Sequence, residues 1–215
     1  MDRLNLNNLS YRKLRRLIGY LGIALPVLLF LYSQFFDHEK AFFEVEHSIS
    51  FYYYTKMSTI FTGILISYGL ILFTYRGKWE LENKLTNIAG VLALVVAIVP
   101  TMFTGSTTLY AHNSLLWRGV IHNLSAAVFI FILGYIVLKF FAQEDMFRSL
   151  YLFLGVMVMV GLTLAIFSVF YEIIKEGKEL FKGAIFWGET ISLFAYGAAW
   201  IRRGVHVNTN SVDNE

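Results

Sequence analysis

The residues of this chain best suited to chemistry are ionisable side chains set inside apolar sequence. His122 stands in "RGVIHNLSAAVF" and Glu189 in "FWGETISLFAYG", each a short way into a run otherwise fit for hydrocarbon. An ionisable group at that depth is costly unless it meets a partner or water. Asn123 adjoins His122, and Ser125 shares its face three residues on; Ser192 and Tyr196 continue the face of Glu189 at steps of three and four. A third polar stretch, "EVEHSISFYYYTKMST", places His47, Ser48 and Tyr53 between two apolar runs.

Two chemistries suit such a set. Gathered at one level, His122, Glu189, His47, Asn123, Ser48, Ser125, Ser192, Tyr196 and Tyr53 would line a pocket that anchors the polar head of a membrane lipid or small amphiphile. Alternatively, His47, His112, His122 and Glu189 would hold zinc, whose bound water would serve as nucleophile in a membrane-embedded lipid hydrolase. The sequence contains no HxxxH or HExxH pair, and each candidate ligand comes from a different segment, so the favoured reading expects no metal or other cofactor. Plainer roles compete for every residue: Glu189 at headgroup level bonded to a neighbouring helix, His122 as a structural hydrogen-bonding group, and the tyrosines as interfacial anchors.

The elements that must position these residues follow from composition. Of 215 residues, 57% are hydrophobic and only 15% charged, against about 25% charged in a typical soluble domain. Six stretches, about 16–36, 57–75, 86–104, 117–141, 148–172 and 183–201, approach the roughly 20 apolar residues that a membrane-crossing helix needs. The expectation is an all-α polytopic membrane protein: one bundle of six transmembrane helices over residues 1–204, and a polar, disordered tail over 205–215. Pro26 and Pro100 fall within predicted spans, where neighbouring helices tolerate a local break. The first span follows the basic cluster Arg12-Lys13-Arg15-Arg16 and lacks a small-residue cleavage site, so it reads as an uncleaved span and not a signal peptide.

Basic flanks give the orientation. With both termini cytoplasmic, two thirds of the 18 Lys and Arg fall on the inner side. The stretch from Glu44 then lies outside, as do His38, His47, His112 and His122, with only His206 inside. The inner half of the bundle reads as dry apart from its basic fringe. Small residues recur at helical spacing at Ala89, Ala93 and Ala97, and at Gly188, Ser192, Ala195 and Ala199, with Gly155 and Gly161 between them; these mark helix-packing faces. Without cysteine there are no disulfides or thiolate metal sites. Walker, Rossmann, serine-elbow and nucleic-acid signatures are absent, so nucleic acid is not an expected partner. No mid-bilayer ionisable path or internal repeat supports a channel or transporter, which ranks third. A protein partner or homo-oligomer is not predicted.

"HSISFYYYT", "NIAGVLALVVAIVPTMF", "VIHNLSAAVFIFILGY" and "FWGETISLFAYG" together resemble an uncharacterised bacterial family of six-span membrane proteins. That family is itself similar to the damage-regulated autophagy modulator and GPI-anchor lipid-remodelling membrane proteins. His122 with Asn123 matches the H-N element of that group and Glu189 its acidic position. Thr190 stands where tryptophan is usual, and Phe51 replaces the usual aspartate after "SIS". The resemblance implies lipid handling at the outer or lumenal leaflet, and here a location in the bacterial cytoplasmic membrane.

Overall fold

The computed structural model describes residues 3–36, 41–101, 116–144 and 147–205. Among these the chain is helical, with no strand. The long helices are α1 (Arg3–Phe35), α2 (Ser58–Thr74), α3 (Glu80–Ile98), α4 (Leu116–Ile136), α5 (Arg148–Ile174) and α6 (Ala184–Val205), with a short 3₁₀ helix at Ile49–Tyr54. The helix of α4 runs on through a π turn, Val137–Phe141, and a final Ala142–Glu144. His38, His112, His206 and the tail predicted over 205–215, beyond its first residue, lie outside the described residues.

Four segments are long and apolar enough to cross a membrane: Tyr11–Phe35, Glu80–Ile98, Trp117–Phe141 and Arg148–Ile174. This is a membrane protein. α2 is apolar but 17 residues long; α6 carries Glu189, Arg202 and Arg203 and is not among the four.

α1 and α3 begin ahead of the expected apolar stretches, at Arg3 and Glu80, and the end of α3 also differs from expectation. The third helix was expected to run through Pro100 to 104 but ends at Ile98. Val99 is extended at φ −89° and ψ 111°, the conformation that a following proline imposes by steric clash. Pro26, by contrast, sits inside an unbroken α1.

Glycines set how closely the helices approach. Across α1 and α6, a Cβ added at Gly197 would stand 2.7 Å from the carbonyl oxygen of Gly19. Across α2 and α3, one at Gly69 would stand 2.8 Å from that of Gly90, and across α5 and α6, one at Gly188 would stand 2.7 Å from that of Gly161. Each distance is below van der Waals contact, so these crossings admit only hydrogen at the contact point. Lipid supplies no hydrophobic drive between helices, and close backbone approach is what holds them. Ala89, Ala93 and Ala97 are buried as expected.

The basic end of the bundle is not dry. Glu82 is fully buried, and Arg203 is 5% exposed. Arg203 Nη1 donates to Glu82 Oε1 at 2.5 Å and Nη2 to Oε2 at 3.5 Å. Glu82 is the third residue of α3, and its Oε2 also accepts the Lys78 backbone N–H at 3.0 Å just ahead of the helix start. The guanidinium lies 4.0 Å from the centroid of Phe141, and the π turn delivers that ring. The same residue packs on Trp200, which meets Tyr75 edge-on at 4.7 Å. Arg15 Nε donates to the Tyr75 hydroxyl at 3.2 Å. Five helices thus converge on one buried ion pair.

Removing Glu82 alone would strand a guanidinium in the core. Glu82→Ala is expected to destabilise the protein by about 3–5 kcal/mol, with the double variant Glu82→Leu/Arg203→Met much closer to wild type. A double-mutant cycle of unfolding in detergent checks this; additive losses would show that the pair is not coupled.

Candidate functional site

At the opposite end, residues 41–55 fold back over the helix ends as a strap. Gln34 near the end of α1 holds its start: Nε2 donates to the Glu44 carbonyl at 2.9 Å, and Oε1 accepts the Phe43 N–H at 2.6 Å. Glu44 pairs with Lys182 at 2.6 Å. Val45 is buried where Gly183, at φ +71°, leaves room that a Cβ would fill. The Phe186 N–H donates to the His47 carbonyl at 3.2 Å.

Ser48 then caps the 3₁₀ helix, its Oγ accepting the Phe51 N–H at 3.2 Å. A 3₁₀ helix rises about 2 Å per residue, so these six residues carry the chain roughly 12 Å across the bundle. The three successive tyrosines diverge. Tyr52 is fully buried; its hydroxyl bonds Ser33 and accepts the Glu46 N–H at 3.3 Å. Tyr54 donates to the Thr101 carbonyl at 2.5 Å. Burial, followed by the neighbouring Tyr53, raises its pKa, with Arg118 acting the other way, so it stays protonated as that donor at neutral pH. Tyr53 is half-buried, edge-on to Tyr54 at 5.3 Å.

The ionisable groups divide along the strap. His47 Nε2 lies 2.8 Å from Glu172 Oε2 at the end of α5. Two residues on, the Ile49 N–H donates to Glu189 Oε2 at 2.7 Å. Glu189 has one oxygen bound and is only partly covered. Glu172 likewise has its second oxygen, Oε1, buried without a partner, and the Thr190 hydroxyl is buried and unpartnered beside Glu189. The α5–α6 flank and the strap thus leave two half-bonded carboxylates near residues 47–49.

His122 stands apart from them. Its ring is 2% exposed, and Nδ1 lies 2.6 Å from the Val99 carbonyl at the broken end of α3. A carbonyl can only accept, so Nδ1 carries the hydrogen. In the neutral ring Nε2 is then an acceptor, and it is buried without a partner. His122 and Glu189 make no hydrogen bond or ion pair with each other among the described residues. Asn123 is exposed, and its Oδ1 accepts from Thr101 at 3.3 Å. Ser125 is buried one turn below.

Two expected pocket residues lie deeper in the bundle. Ser192 is a packing group: its Oγ donates to the Val158 carbonyl at 2.9 Å and the Gly188 carbonyl at 3.1 Å. Tyr196 is fully buried in the middle, meeting Tyr68 and Trp200 at centroid distances of 6.4 and 5.9 Å. Glu172, by contrast, belongs to the strap end and escaped the sequence reading; its position close after the apolar run "LAIFSVFY" was the available signal. Among the described residues, no three His, Asp or Glu side chains are grouped to hold a metal ion.

Tyr52→Phe removes the hydroxyl that ties the strap to Ser33 and Glu46. Amide exchange over residues 44–52 is expected to rise roughly five- to tenfold, the equivalent of about 1 kcal/mol, with the helices unchanged. Exchange mass spectrometry in detergent measures it; unaltered protection would mean that the strap is held elsewhere.

No curated protein and no solved structure matches the chain. A family model matches residues 24–203, which runs from within α1 to near the end of α6. The chain belongs to this family, a family of unknown function (DUF7103).

Proposed function

We propose that this protein binds a membrane lipid or small amphiphile at the strapped end of a six-span bundle. The observation that carries the reading is Glu189. It lies five residues into α6, and its carboxylate has a backbone N–H on one oxygen and no protein cation on either among the described residues. A carboxylate at that depth is disfavoured unless a partner completes it, and a polar headgroup arriving from the bilayer would do so. The apolar sides of α4 and α5, with Phe131, Phe153, Phe167 and Phe170 facing outward, suit acyl chains at the same end and along the wall.

In this reading α2 and α6 also cross the membrane, and both termini are cytoplasmic. The strap then faces outward, and the Glu82–Arg203 pair lies at the inner surface. Arg12, Arg15, Arg16, Arg76, Lys78 and Lys84 would flank that inner surface, in accord with the bias of basic residues toward the cytoplasm. The membrane would be the bacterial cytoplasmic membrane.

Orientation is testable because the chain has no cysteine. In intact cells a membrane-impermeant maleimide is expected to label Glu46→Cys and to leave Lys84→Cys unlabelled until lysis; the reverse pattern would invert the topology. Binding is tested by native mass spectrometry of protein extracted in mild detergent. Wild type is expected to retain a lipid saturably, and Glu189→Ala to lose at least about nine tenths of it, with Lys84→Ala unaffected. No retained lipid, or equal retention in Glu189→Ala, would overturn the reading.

A further inference from the structure

The open hydrogen-bonding positions at the strapped end share one polarity. Glu172 Oε1 is buried and unpartnered. Glu189 has one oxygen bonded, and the other has no protein partner among the described residues. His122 Nε2 is an acceptor in the neutral ring, because the Val99 carbonyl fixes the hydrogen on Nδ1. The Thr190 hydroxyl can take either role.

The two carboxylates are tied to the same strap. His47 holds Glu172 through its side-chain Nε2, and Ile49 holds Glu189 through its backbone N–H. A carboxylate held away from bulk water is disfavoured without a counter-charge, and a cation supplies one. Among the described residues no lysine or arginine pairs with either carboxylate: Lys182 pairs with Glu44, the Arg118 guanidinium lies over Trp117 on α4, and the Glu172 carboxylate meets only the His47 ring.

We propose that the amphiphile's headgroup carries a primary ammonium, received by the open carboxylate oxygens of the strapped end on Glu189 and Glu172. This rests on the lipid-binding reading above and narrows it. An ammonium brings three N–H donors and one positive charge to a site made of acceptors. A phosphate monoester brings only acceptors and negative charge, and a trimethylammonium brings charge with no donor. The buried acceptor of His122, toward the far end of the 3₁₀ helix, extends the same polarity to α4 and selects against anionic heads there too.

The test uses the full chain in mild detergent and three lipids with identical palmitoyl-oleoyl chains: phosphatidylethanolamine, phosphatidylcholine and phosphatidic acid. Native mass spectrometry reads the apparent affinity of each. Phosphatidylethanolamine is expected to bind about tenfold or more tightly than either of the others, the range of a hydrogen bond to a charged group. Glu189→Gln keeps an oxygen for the Ile49 N–H but loses the charge and should bring that ratio near one. Glu172→Gln does the same beside His47 and provides a second variant should the first fail to fold. His122→Asn keeps a donor for Val99 while deleting Nε2, and should weaken phosphatidylethanolamine a few-fold. Equal binding of the three lipids, tighter binding of phosphatidic acid, or an ethanolamine preference that survives in both carboxylate variants would overturn the ammonium assignment and leave lipid binding standing. Saturable binding of none would overturn both.

Discussion

A guanidinium and a carboxylate removed from water together organise this bundle. Glu82 and Arg203 come from α3 and α6, 121 residues apart, and neither tolerates burial without the other. Around them gather Phe141 from the π turn, Trp200 of α6, and Tyr75 with its Arg15 donor from α1. In hydrocarbon or at its edge, where bulk water cannot complete a polar group, such mutual completion is the condition for placing charge inside the fold. The reciprocal glycine approaches at 19/197, 69/90 and 161/188 then let α1, α2, α3, α5 and α6 close around it.

The strapped end obeys the same rule incompletely. Both oxygens of Glu82 accept from the protein. Of the corresponding oxygens on Glu189 and Glu172, each residue has one bonded. The strap itself is well made: Ser48 caps it, Tyr52 and Gln34 tie it to α1, and Tyr54 ties it to the end of α3. A firmly held strap beside unfinished acceptors differs from a loosely packed loop, where many groups would be open at random. Here the unfinished carboxylates flank one short stretch, residues 47–49, and that localisation is what gives the end its functional reading.

Apolar runs made the helices legible in the sequence, because length and hydrophobicity act locally. The end of α3 was misjudged at Pro100, where the restriction on Val99 outweighed the apolar run beyond it. Depth along a helix was equally legible: His122 and Glu189 do lie near the same end. Their azimuth was not, and so their pairing was not. His122 answers to a carbonyl that exists only because α3 breaks, and Glu189 to a backbone N–H of the strap. Burial of Tyr52 could not be told from that of Tyr53 or Tyr54, since its partner, Ser33, lies on another helix. Glu82 reads in sequence as an ordinary acid at a helix start and Arg203 as part of the basic fringe. Only the fold brings them together.

The central claim is that the acceptors beneath the strap are completed by a lipid and not by the protein. A high-resolution density map of the protein in lipid nanodiscs tests it most directly. The account predicts a headgroup joined to acyl density, its polar tip within about 3 Å of the Glu189 carboxylate. A map in which a lysine or arginine of the chain itself completes that carboxylate, with no lipid beneath the strap, would contradict it.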